Sequence, residues 1–218
     1  MRFEMNSLYN MDCMIALREL PDLSFNLALV DPPYGIGRFG SLVNMPEHKD
    51  KADINKWDVK PPPEYFKELF RISEHQIIFG ANNFRLPETE YFIVWDKMQA
   101  VENFASAEFA WTNYKKPAKV FRYSINKLIQ DRRSEGGKIH PTQKPVELYR
   151  WILKNYATPG DTVIDTHVGS GSSLMACHDM GFAYLGFEIN EFYYEKALKR
   201  IENNKRQVTI WDCQKGHK

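Results

Sequence analysis

The chain has 218 residues, 43% of them hydrophobic and 14% aromatic, enough for one globular domain with a substantial core. A formal net charge of +1 excludes a uniformly polycationic or polyanionic protein. Three widely spaced cysteines, Cys13, Cys177 and Cys213, exclude a disulfide framework and show no zinc-ligand spacing, and no run approaches the roughly 18 apolar residues of a membrane span. Residues 1–20 lack the basic-then-apolar pattern of a secretory signal, so the expectation is a soluble, cytoplasmic protein of a reducing compartment, with no membrane association and no metal.

In chain order, the first apolar run is "FNLALV" (25–30), which reads as a buried strand. A long polar stretch without period follows, 36–61, and a loop of that length in a compact domain is usually functional or mobile. "PPEYFKELFRIS" (62–73) opens on prolines and sets Tyr65, Phe66, Leu69, Phe70 and Ile72 near one helical face. Strands are expected at "HQIIFG" (75–80), "YFIVW" (91–95) and "EFAW" (108–111). A basic segment, 113–139, holds "VFRY" (120–123) as its one plausible strand. From Asn113 to Lys144 nine basic residues face only Asp131 and Glu135, a local excess of +7 that reads as a polyanion-facing surface or a solvated loop. "PVELYRWILKNYA" (145–157) is an amphipathic helix, then come a strand at "DTVID" (161–165), a helix at 172–181 closed by Gly181, a strand at "FAYLGFE" (182–188) and a helix at 191–204. This alternation predicts one domain, 1–218: an open, mostly parallel, doubly wound α/β sheet with a small basic insertion.

Two strand ends carry polar chemistry. "VDPPYG" (30–35) puts Asp31, Pro32, Pro33 and Tyr34 at the exit of the first strand, which suits a turn or a site that holds an amino group on a flat ring. "VIDTHVGSGSSL" (163–174) is strand, glycine bend and helix start; it is a tight connection or a cofactor loop, and no Lys follows the glycines as a Walker loop would require. Glu188, at the end of the next strand and about 20 residues further on, has the position from which an acid accepts hydrogen bonds from both ribose hydroxyls. With no phosphate-binding cluster in view, a nucleoside cofactor fits better than a nucleotide.

These motifs, in this order, resemble the amino-group DNA methyltransferases that use S-adenosyl-L-methionine, in their permuted (beta-type) arrangement with the catalytic motif first. "DPPY" (31–34) resembles the catalytic motif, "DTHVGSG" (165–171) the cofactor loop, and "HPTQKPVELYRWIL" (140–153) the segment before that loop; "NMDCM" (10–14) and "PDLSFNLALVDPPYG" (21–35) match in spacing. The resemblance covers most of the chain and implies a Rossmann-like methyltransferase fold. It departs from the family's D-P-F-x-G-S-G at Thr166 and His167, where a Phe usually packs against the cofactor.

What the resemblance implies is N6-adenine methylation of double-stranded DNA at a specific sequence. Asp31, Pro32, Pro33 and Tyr34 would be catalytic; Asp165, His167, Gly169, Ser170, Gly171, Glu188, Thr142 and Lys144 would bind S-adenosyl-L-methionine; Asp12, Lys115, Lys116, Lys119, Arg122, Arg132 and Arg133 would contact the substrate. Adenine's exocyclic nitrogen is a poor nucleophile because its lone pair is delocalised into the ring. The Asp31 carboxylate and the Pro32 carbonyl can each accept one of its N–H bonds, and the prolines stiffen that carbonyl. Tyr34 offers a ring on which a base stacks. The target base must leave the duplex, and 36–61 is expected to be a mobile loop closing over it, with 113–139 as the target-recognition insertion. N4-cytosine DNA methylation, the same chemistry on RNA, and an inactive DNA-binding module are the alternatives; the acid at position 31 favours adenine by family analogy. The resemblance implies a restriction-modification setting, and enzymes resembling this one are often dimers, though no isolated apolar stripe demands a homodimer here.

Overall fold

The computed structural model describes residues 2–35, 58–100, 102, 105–134 and 137–215. Most of the expected target-base loop, 36–57, lies outside these residues. The strands are β1 (Ser7–Asn10), β2 (Phe25–Val30), β3 (Ser73–Phe79), β4 (Phe92–Asp96), β5 (Ala107–Thr112), β6 (Lys119–Arg122), β7 (Thr162–Asp165) and β8 (Ala183–Glu188). The helices are α1 (Cys13–Glu19), α2 (Pro63–Ile72), α3 (Ile125–Ser134), α4 (Val146–Tyr156), α5 (Ser172–Asp179) and α6 (Glu191–Lys215).

The eight strands form one sheet in the order β1-β8-β7-β2-β3-β5-β4-β6. All neighbouring pairs are parallel except β3·β5 and β4·β5, so reversal of the single strand β5 leaves β4 and β6 pointing the same way as β2. Alternation along β2 explains why both sheet faces are covered. Leu27 and Leu29 join one apolar cluster, with Leu148, Ile152, Leu174 and Ala197 from α4, α5 and α6. Ala28 and Val30 join the other, with Leu17 of α1 and Tyr65 and Leu69 of α2. A strand buried on both faces reads as a continuous apolar run, as 25–30 does.

Three elements go beyond the sequence reading. β1 adds a parallel edge beside β8, and α1 follows it, capped by the Asp12 side chain on the Met14 N–H at 2.8 Å. α3 forms inside the basic segment, where Ser124 receives the Lys127 N–H at 3.2 Å and Leu128 is buried. Its signal, a serine before Ile125, Leu128 and Ile129, is helical in spacing but is masked by the surrounding charge. β3 starts at Ser73, directly after α2, and the Ser73 hydroxyl donates to the Leu69 carbonyl at 2.5 Å.

Candidate active site

Asp31 lies one residue past β2, at the carboxyl edge of the sheet, where open α/β folds bind ligands. Its Oδ1 accepts the Tyr34 hydroxyl and its Oδ2 contacts the Lys144 ammonium. Tyr34 holds its position because Gly80, just past β3, has no side chain and a φ of +65°: a Cβ there would lie 2.0 Å from Tyr34 Cε1.

Lys144 is 2% exposed and sits between two acids, with Glu108 Oε2 at 3.1 Å; Lys97 closes the row at 2.7 Å from Glu108 Oε1. Four charges therefore alternate from Asp31 to Lys97. Burial pushes the Asp31 carboxyl above its ordinary range, and Glu108 adds to this, while Lys144 and the Tyr34 hydroxyl oppose it. Burial alone would raise Glu108 too, but Lys144 and Lys97 outweigh it and hold Glu108 below the usual range. Burial likewise works against the Lys144 ammonium, and the two acids overcome it.

The glycine bend stands on the neighbouring strand, since β2 pairs with β7 through Leu27↔Val163 and Ala28↔Ile164. Asp165 ends β7 and ties the bend beneath itself, accepting the His167 N–H at 3.0 Å and the Ser173 hydroxyl at 2.5 Å. Burial drives its carboxyl up to about 7. Gly169 and Gly171 take φ of +54° and +81°, which bends the chain into α5. Glu188 holds the bend from β8: its Oε2 accepts the Gly169 N–H and its Oε1 the Asn190 N–H, both at 2.9 Å. Each oxygen keeps a lone pair, so a diol can still bind there.

Ser170 and Ser172 are held by Arg200 of α6, whose Nη1 donates to the Ser170 carbonyl at 2.8 Å and lies 3.0 Å from Ser172 Oγ. Ser172 donates in turn to the Lys144 carbonyl at 2.9 Å, coupling the bend to the 140–144 segment. There, Thr142 Oγ1 shares a hydrogen bond with His140 Nδ1 at 3.0 Å, and the His140 ring lies against the Tyr193 ring at 4.3 Å. At the two departures from the family pattern, Thr166 Oγ1 shares hydrogen bonds with Tyr65 at 2.6 Å and with His167 Nδ1 at 2.9 Å. The His167 ring meets Tyr65 edge-on at 5.3 Å, and burial lowers its pKa to about 4, so it is neutral at physiological pH.

Asp31, Pro33, Lys144, His167, Gly169 and Glu188 line one cavity of about 70 Å³. Thr142 and Ser170 line it too, and Asp165 and Gly171 support its bend. Behind Lys144 a second cavity of about 600 Å³ opens between the ends of β4 and β5 and helix α3. Thr142 and Gln143 line both. Glu108, Gly80 and Arg200 were not singled out from the sequence, and Lys97 and Gln143 were given no role there; Gly80, at the end of an apolar run, and Gln143, inside the 140–153 motif, carried a local signal.

The basic residues separate into two groups. Arg122, at the end of β6, and Arg132 and Arg133, on α3, stand at the carboxyl edge with Asp31. Lys115 and Lys116 precede β6 and Lys119 begins it, so all three stand at the opposite edge and the structure does not bring them to the site. Lys116 and Lys119 instead bind Asn155, at the carboxyl end of α4, each at 2.7 Å, where helix-end carbonyls favour cations. Asp12 lies beside Glu188, with β8 and β7 between it and Asp31. Among the described residues no group of three or more His, Cys, Asp and Glu side chains is arranged to hold a metal ion, and no helix is long and apolar enough to cross a membrane.

The chain is similar to known proteins over most of its length. It is 24% identical over 249 residues to the type II methyltransferase M.HinfI of Haemophilus influenzae, covering 92% of this chain and 69% of that protein. It is 24% identical over 232 residues to M.HpaI of Haemophilus parainfluenzae, covering 86% and 71%. Its fold is shared with the M1.HpyAVI–SAM complex (TM-score 0.59, 19% identity, 89% of this chain and 98% of that one). It is shared also with the cytosine-N4-specific PvuII DNA methyltransferase (TM-score 0.58, 13% identity, 92% and 90%). Residues 81–199, more than half of the sequence, match the DNA methylase family, and they include the Lys144 bridge, the glycine bend and Glu188. The chain belongs to the DNA methylase family.

Proposed function

We propose that this chain transfers a methyl group from S-adenosyl-L-methionine to the N6 amine of a flipped-out adenine at a specific site in double-stranded DNA. The observation that carries the proposal is the shared cavity: Asp31 and residues 167–170 of the bend, which begins 136 positions further along the chain, line one space at the ends of adjacent strands. The residues at the bend suit the cofactor. Glu188 keeps acceptor capacity for a ribose, and Gly169 lets the bend approach a ligand without a Cβ. S-adenosyl-L-methionine, when bound, supplies an electrophilic methyl group on a sulfonium.

The protein's part is positioning and electrostatics. Asp31 and the Pro32 carbonyl accept the two N–H bonds of the amine, which turns its lone pair toward the cofactor side. Tyr34 stacks on the base and orients Asp31 through its hydroxyl. Lys144 opposes the burial that raises the Asp31 carboxyl and so favours its carboxylate form, which accepts the N–H bond and then the proton that nitrogen sheds as it gains the methyl group. His167, neutral and hydrogen-bonded to Thr166, serves as a packing surface in place of the family's Phe. Arg122 and Arg133, exposed at the same edge, hold phosphates.

The similarity to type II methyltransferases supports a role beside a restriction enzyme. The test is methylation of unmodified DNA by the purified chain, with modification-sensitive sequencing for the site and mass spectrometry of the digested nucleosides for the base. N6-methyladenine is expected. N4-methylcytosine would support the second reading, which the likeness to the PvuII enzyme favours, because the same two acceptors also hold a cytosine amine.

A further inference from the structure

We infer that Gln143 reads the target base, its side-chain amide donating a hydrogen bond to the ring nitrogen next to the methylated amine; this rests on the adenine reading above. The observation is an unsatisfied donor. Gln143 is 3% exposed, and its Oε1 accepts the Ile139 N–H at 2.9 Å. That donor fixes the amide's orientation, since an N–H can be met only by the oxygen. The Nε2 is left buried with no hydrogen-bond partner among the described residues. Buried donors are nearly always paired, so an unpaired one beside a cavity has a ligand to meet.

Position identifies that ligand. Gln143 lines the cavity that contains Asp31 and also the larger one beside Lys97 and Glu108. In the sheet, the glycine bend lies to one side of Asp31, on β7, while β5 and β4 lie to the other. A methyl donor at the bend therefore leaves the β5–β4 side for the methyl acceptor. Gln143 is anchored to that side, because Arg132 of α3 donates to its main-chain oxygen. The space there, about 600 Å³, is in the range of small-ligand pockets. Its apolar wall at Met98 and Leu128 suits a base, and Lys138 at its lining suits a phosphate. With the amine on Asp31, a neighbouring donor meets N1 of adenine. Guanine carries N1–H at that position and is rejected, donor against donor.

The test crosses one variant with one substrate analogue. Gln143→Glu keeps the acceptor for the Ile139 N–H and, assayed at a pH high enough to ionise it, replaces the donor with another acceptor. The substrates are duplexes carrying the mapped site, with adenine or 1-deazaadenine at the methylated position, each opposite an abasic site so that pairing is absent from both. The wild-type chain should favour adenine in kcat/KM by about tenfold, the worth of one hydrogen bond. Gln143→Glu should lose about tenfold on adenine, lose the discrimination, and keep its affinity for S-adenosyl-L-methionine. Equal use of both substrates by the wild-type chain would overturn the inference, and this arm stands even if the variant fails to fold. A fully active variant would overturn it, as would loss of S-adenosyl-L-methionine affinity with an unchanged KM for DNA. Methyl found on cytosine N4 would sink the adenine reading separately, and the same two arms with 3-deazacytosine would then decide Gln143.

Discussion

Replacing Gly80 with Ala adds one methyl group at the place where Tyr34 rests. The new Cβ would lie 2.0 Å from Tyr34 Cε1 and 2.3 Å from its Cζ, against the 3.5–4.0 Å at which carbon atoms pack comfortably. The ring must therefore retreat by roughly 1.5 Å, and its hydroxyl leaves Asp31. A misplacement of about 1 Å near reacting groups costs on the order of 100-fold in rate. Backbone strain is separate: an alanine held at φ +65° costs about 1–2 kcal/mol, or a few degrees in Tm for a chain of this size. Single-turnover methyl transfer should thus fall about 100-fold, while calorimetry shows unchanged S-adenosyl-L-methionine affinity, because Tyr34 is not among the residues lining the small cavity. A double-mutant cycle with Tyr34→Ala isolates the route: with the ring gone, Gly80→Ala should cost little further rate. A Gly80→Ala chain within twofold of wild type in rate would refute this reasoning, as would losses that simply multiply in the cycle.

Asp31→Ala should lower methyl transfer by a factor of about 10³ or more and leave S-adenosyl-L-methionine binding intact; a normally active variant would remove Asp31 from the mechanism. Glu188→Ala deprives the Gly169 and Asn190 N–H groups of their acceptor as well as the ribose, so calorimetry should show cofactor affinity down by about tenfold or more. Arg133→Ala should reduce the salt dependence of DNA binding by about one phosphate contact, while Lys115→Ala, at the opposite edge, should leave it unchanged; equal effects would mean that DNA spans both edges. His167 titrates near 4 in the folded chain and near 6.5 unfolded, so the unfolded chain binds more protons in between and this group removes stability as pH falls from about 6.5 to about 4. His167→Phe should flatten that acid-side loss in Tm and change nothing in the slope above pH 7; parallel curves would contradict a half-buried, neutral His167.

The elements were legible where one local rule dominated. The run 25–30 and the apolar faces of 62–73 and 145–157 follow from spacing alone, and the structure reproduces them to within a residue or so. Where charge competes with spacing the reading weakened: α3 was hidden because its apolar residues share ten positions with Lys127, Arg132 and Arg133. The basic segment, read as one surface, is divided by β6, which carries the chain across the sheet from Lys119 at one edge to Arg122 at the other. Glu108 is one acid in an otherwise ordinary strand, and Arg200 one cation in a charged helix; neither spacing nor composition marks them.

By itself the sequence determined the alternation of strands and helices and the two polar motifs at strand exits, because propensity, periodicity and turn chemistry act over a few residues. Only the tertiary structure decided that those exits are neighbours, through the pairing of β2 with β7, and that Lys144 bridges the acid of one motif to Glu108. Pairing across more than a hundred residues is set by which apolar faces the whole core can bury together, and a buried ammonium takes whichever carboxylates that packing leaves within reach.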